Sequence, residues 1–209
     1  MPKNGKGIFL KEGLNDIRSV GTIVSTSKFV ARAMVPKIHA GDPPHVVIEL
    51  GVGTGSVTEE IIKHIRPQDT FIGIESNEKF LEVCKANLCL PDHSVVRAGI
   101  GDRNISVRLE YGLAQNIEHI LKKHHVREVD DIICTIPFRV LPKKETKEIL
   151  ESVKKILKPG GHFIFIRYIL APETKVIPDI LDTFKVVRKK IIMRNIPPTE
   201  VITMEKVSD

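Results

Sequence analysis

The sequence predicts an α/β fold: a doubly wound, seven-stranded, mostly parallel sheet closed by a C-terminal antiparallel strand pair. Three observations lead there. From residue 45 onward short Val/Ile/Phe-rich runs alternate with helical patterns, which is the mark of a parallel sheet with covering helices. A glycine-rich turn, "GVGTG", joins the first run to the first helical stretch. The alternation stops after residue 169, where two strand-like runs are joined by a few residues only.

The elements follow in order. "HVVIEL" (45–50), "TFIGIE" (70–75), "SVVRAG" (94–99), "VDDIICTI" (129–136) and "HFIFIRYI" (162–169) read as strands, bounded by Gly, Pro or Asp. Helices are expected over roughly 56–66, 77–89, 106–124 and 143–157, the last with Ile149, Val153, Ile156 and Leu157 at helical spacing before "KPGG". "APETKVIPDIL" reads as a short helix. "FKVVRKKIIM" and "TEVITMEKV", joined by "RNIPP", then form antiparallel neighbours at the sheet edge.

With 209 residues, 42% of them hydrophobic, the chain can supply its own core. Cys84, Cys89 and Cys134 form no CxxC pair and lack histidines at zinc-ligand spacing, so reduced thiols and no metal site are expected. No apolar run reaches the ~20 residues of a membrane span, and a cytoplasmic protein is expected. The net charge of +6 is uneven: residues 1–40 carry seven basic and two acidic side chains, net +5. In that segment Phe9, Leu10, Leu14 and Ile17 form one apolar stripe at helical spacing, and Phe29, Val30, Ala33 and Met34 a second. Residues 1–40 are therefore read as basic amphipathic helices, a membrane anchor or a lid, ahead of a 41–209 catalytic domain. Such a segment suits an anionic partner, either phospholipid headgroups or nucleic acid; by charge alone a merely solvated face serves as well.

Gly51, Gly53 and Gly55 let the backbone approach a ligand closely. Their GxGxG spacing differs from the GxGxxG of dinucleotide sites, and the preceding Glu49 would repel a pyrophosphate while suiting an amino group and a sulfonium. Glu75, with Ser76 beside it, ends the second strand, where a carboxylate accepts from a ribose diol. Asp102 follows the third strand, placed to accept from an adenine amino group; a turn aspartate is the plain alternative, as a helix-cap acceptor is for Glu49.

Together with "LKPGGHFIF", these residues resemble the class I methyltransferases that use S-adenosylmethionine, which implies a Rossmann-like methyltransferase fold and that cofactor. The loop "CTIPFRVLP" (134–142) should then face the transferred methyl group. Adenine N6-methylating enzymes carry an Asn or Asp there; this chain has Thr135, so nucleic acid becomes the weaker partner. "IPFRVLP", "VGTIVSTSKFVARAM" and "RNIPPTEV" resemble the bacterial soluble phospholipid N-methyltransferases, although the family's Pro-Ser-Ser step is Ser25-Thr26-Ser27 and its Ser-Gly is Cys134-Thr135. That resemblance implies N-methylation of phosphatidylethanolamine by an enzyme peripheral to the membrane.

Methyl transfer needs a neutral amine held in line with the C–S bond. Tyr168, at the end of the fifth strand, is a candidate to hold or help deprotonate it. Phe138 is a candidate to face the developing ammonium, and Arg139 to pair with a lipid phosphate. Plain packing or solvation is the alternative for each. An RNA adenine methylase, a small-molecule methyltransferase and a non-catalytic lipid-binding protein are the rival functions.

Overall fold

The computed structural model describes residues 26–90, 95–100, 103–139, 141–169 and 182–207, the stretches 95–100 and 103–104 as backbone alone. Its elements are helix α1 (Lys28–Met34), strand β1 (Val46–Leu50), α2 (Ser56–Ile62), β2 (Thr70–Glu75), α3 (Glu78–Asn87), β3 (Val95–Ile100) and β4 (Arg103–Tyr111). A 3₁₀ turn (Ala114–Asn116) leads into α4 (Ile117–Lys123). Then come β5 (Val129–Cys134), α5 (Lys143–Ile156), β6 (Leu157–Tyr168), β7 (Phe184–Ile192) and β8 (Thr199–Lys206).

One sheet holds all the described strands, in the order β3-β4-β2-β1-β5-β6-β8-β7. β4, β2, β1, β5 and β6 are the five parallel strands, and β8 and β7 close the sheet as the expected antiparallel pair. The difference lies at the other edge. The run near residue 95 is not the third parallel strand; it pairs antiparallel with β4, which is that strand and brings the sheet to eight. Residues 106–111, read from sequence as the start of a helix, belong to β4. The physical reason is period two: Ile105, Val107 and Leu109 are all buried on one face, and β-branched residues favour the pleat.

Each face of the sheet has its own core. Val47, Phe71, Val107 and Ile133 pack with Val57 and Ile61 of α2 and Leu81 of α3. Ile48, Leu50, Ile72 and Ile132 pack with Ile117 and Leu121 of α4 and Ile149 and Val153 of α5. Successive strand residues alternate between these cores, as expected of strands buried on both faces. α1 belongs to the first core: Val30, Ala31 and Met34 are fully buried against α2. The second apolar stripe of the N-terminal segment is thus core. The first, Phe9, Leu10, Leu14 and Ile17, lies outside the described residues, as do the short helix expected in 171–181 and Asp102. Among the described residues no helix is long and apolar enough to cross a membrane.

The parallel strands fix the ends of the molecule. Leu50, Glu75, Tyr111, Cys134 and Tyr168 finish their strands at one end, where β8 begins and β7 finishes. At the opposite end buried Asp131 accepts from His162 at 3.0 Å, and this pairing raises the His162 pKa above its usual value.

Candidate active site

A cleft of about 240 Å³ opens at the carboxyl end of the parallel strands, where ligands bind in doubly wound sheets. Its floor is the turn after β1. Gly51 has φ +82°, and a Cβ there would stand 2.8 Å from the Ile136 side chain, so only glycine fits without movement. Gly53 has φ +55° and open space where its Cβ would be, leaving a hollow against bare backbone. Gly55 is the N-cap of α2 and lets α3 approach: a Cβ would lie 2.9 Å from Cys84 Sγ. Burial pushes the Cys84 and Cys134 thiols up to about 12, which makes both packing residues.

Glu49 is the most unusual group in the cleft. It is fully buried in the central strand; its Oε2 accepts from the Thr58 hydroxyl at 2.7 Å, while its Oε1 has no hydrogen-bond partner. Burial pushes its carboxyl up to about 8, with the Thr58 hydrogen bond opposing and the Glu75 charge adding. An orphaned buried oxygen on a glycine-lined hollow is what an ammonium group would complete.

Glu75 Oε2 accepts from the Gly53 amide at 2.9 Å and Oε1 from the Asn77 amide at 2.9 Å. These bonds fix the carboxylate at the cleft wall with acceptor capacity left for a diol. The Ser76 hydroxyl lies 3.5 Å from Glu75 Oε1, and Asn77 caps α3 through the amides of Lys79 and Phe80. Thr135 is at the cleft but committed: its hydroxyl donates to the Gly51 carbonyl and contacts that of Leu50 at 3.2 Å, and its amide donates to Leu50 at 3.0 Å. It fastens the β5 loop to the β1 turn.

Glu49, Gly51, Gly53, Glu75, Ser76, Thr135 and Tyr168 are thus brought to one cleft, with Gly55 just behind it. Two candidates are not. Phe138 is buried, its ring centroid 6.4 Å from those of both Phe163 and Phe165; it is a core residue that the aromatic strand β6 draws inward, and it does not face a developing ammonium. Arg139 is exposed on the loop outside the cleft lining. The end of the third parallel strand supplies Gly112–Gln115, because β4 and not the 94–99 run leads into the cleft. Leu113 and Gln115 offer an apolar face and an amide for a purine. Together with Thr58, these residues escape the sequence reading. The period-two run ending at Tyr111 is the signal that finds Gln115; nothing short of the helix register finds Thr58.

A family model described as methyltransferase domain matches residues 47–161. The chain belongs to the S-adenosylmethionine-dependent methyltransferases. Among relatives of this methyltransferase, the ornithine lipid N-methyltransferase of Singulisphaera acidiphila is 23% identical over 75% of this chain and 72% of its own. A ubiquinone/menaquinone biosynthesis C-methyltransferase of Wigglesworthia glossinidia brevipalpis is 24% identical over 74% of this chain, which spans only 53% of that relative. In structure, magnesium protoporphyrin IX methyltransferase of Synechocystis with bound S-adenosylmethionine superposes with a TM-score of 0.60 at 12% identity, over 99% of this chain and 86% of that one. TrmN of Thermus thermophilus gives 0.62 at 16% identity over 87% of this chain and 49% of its own. Both likenesses are of fold.

The residues present fit the cofactor. Glu49 would receive the amino group, the Gly51–Gly55 turn the methionine portion, Glu75 the ribose, and Leu113 with Gln115 the purine. The cofactor supplies, when bound, a sulfonium methyl group open to displacement by a neutral nucleophile.

Proposed function

We propose that this methyltransferase transfers methyl groups to the primary amine of a membrane lipid headgroup, phosphatidylethanolamine foremost. The observation that carries the reading is the state of Thr135. The single hydroxyl proton is given to the Gly51 carbonyl, and a threonine stands where an adenine methylase presents the Asn or Asp oxygen that orients a planar base amine. Thr26, Ile136, Pro137, Leu141, Ile166 and Tyr168 also line the cleft, a largely apolar set with one phenol.

That lining suits a primary amine whose proton must leave before attack. The free amine has a pKa near ~10, and an apolar surround favours its neutral form. The Tyr168 hydroxyl would hold the acceptor nitrogen, whose surplus proton would pass to water, and the cofactor, when bound, would supply the methyl group that the nitrogen displaces from sulfur. The similarity to an ornithine lipid N-methyltransferase supports an aminolipid acceptor.

The test is methyl transfer from labelled cofactor to vesicles containing phosphatidylethanolamine, to ornithine lipid, or to total RNA. Label in phosphatidylethanolamine is expected. Label in RNA alone, or in none of the three, overturns the reading, and label in ornithine lipid alone corrects the headgroup.

A further inference from the structure

The sheet end that carries the cleft also carries uncovered apolar side chains. Met193 and Ile196, in the β7–β8 connection, are 69% and 83% exposed, and Ile169 and Ile191 are exposed beside them. Tyr111 and Leu113 are exposed at the other side of the cleft mouth. Scattered apolar residues are ordinary on a surface; gathering at one end around a pocket is not.

Charge says what covers them. Residues 184–198 hold five basic side chains, Lys185, Arg188, Lys189, Lys190 and Arg194, and no acidic one. Of these five, Lys185 pairs with Glu205 at 3.0 Å at the far end of β7, and the other four have no ion-pair partner among the described residues. The loop is also firmly set. Asn195 is buried; its Oδ1 accepts from the Ser27 amide at 3.2 Å, and its side-chain amide donates to Pro197 and Thr199. Arg194 lies 5.3 Å from the Phe29 ring centroid. Ser27, at the start of α1, is thus fastened to this same loop.

We propose that this end face docks on an anionic lipid bilayer, with Met193 and Ile196 entering the interface and Lys189, Lys190 and Arg194 meeting headgroup phosphates. Apolar tips flanked by cations bind such surfaces by partial insertion and electrostatic attraction. The proposal rests on the reading of the acceptor as a membrane lipid, and it presents the cleft mouth to the bilayer.

The chain has no tryptophan, so Ile196→Trp is a single reporter, and Val207→Trp, beyond the opposite end of β8, is its control. With vesicles of phosphatidylglycerol and phosphatidylethanolamine, the Ile196→Trp emission should shift to the blue and be quenched by brominated acyl chains, while that of Val207→Trp stays unchanged. The M193S/I196S double variant should keep its melting temperature and cofactor affinity yet partition to these vesicles about tenfold more weakly. The proposal is overturned if the protein does not sediment with the vesicles, or if it does so with an unshifted Ile196→Trp emission. A shift produced by RNA and not by vesicles, or by raised protein concentration alone, also overturns it, the latter marking a second copy as the occupant. Methyl transfer scored on the same samples separates the two readings. Insertion without methylated lipid refutes the acceptor and leaves the docking face; methylated lipid with a silent reporter does the reverse.

Discussion

At the scale of single residues, Glu49 sets a measurable conflict between stability and binding. Its folded-state pKa of about 8 lies above the ordinary value of 4.5, so the folded chain holds a proton that the unfolded chain gives up. The stability this contributes is full below about 4.5 and is lost as pH rises through about 8. Thermal melts of cofactor-free protein should therefore fall over that range, and Glu49→Gln should flatten the fall and melt higher than wild type at pH 8. The same substitution should weaken cofactor affinity about tenfold or more by calorimetry, since the amino group loses its counter-charge. Tyr168→Phe should lower kcat on lipid vesicles about tenfold with cofactor affinity unchanged; equal loss in both would mark a packing role. Glu49, the glycines and Glu75 are legible in the sequence because close approach and counter-charge each demand one residue type at one spacing. The role of Thr135 is not, because whether a hydroxyl faces the ligand or its own backbone depends on how β1 and β5 are aligned.

Among the elements, β4 shows why part of the fold escapes a linear reading. "RNISVRLEYGLAQ" mixes alternating Ile, Val and Leu with residues that also suit a helix, and pairing with β2 decides in favour of the strand. Most other elements are legible to within a few residues, since their periodicity agrees with their neighbours. The junction of α1 with the β7–β8 loop is a long-range feature that no local pattern encodes. Asn195→Ala should remove the acceptor of the Ser27 amide and both donor bonds of the loop, lowering stability by about 1–3 kcal/mol in denaturant titrations. Because Thr26 lines the cleft, the same variant should raise the KM for lipid more than that for cofactor.

For the whole molecule, charge and shape act together. With net +6 and a basic edge strand, β7, that leads to Arg194 at the cleft end, association with anionic vesicles should weaken steeply between 0.05 and 0.5 M salt, roughly the range over which surface charges are screened. Binding indifferent to salt would leave the cations without a part in it. The antiparallel return of β8 has a practical consequence. That strand starts beside the cleft and runs to Lys206 at the far end, near the Asp131–His162 pair. A tether attached after Lys206 would hold the protein upright on a sensor chip with its cleft pointing into the flow, so that lipid discs and cofactor can be offered to every immobilised copy in the same orientation.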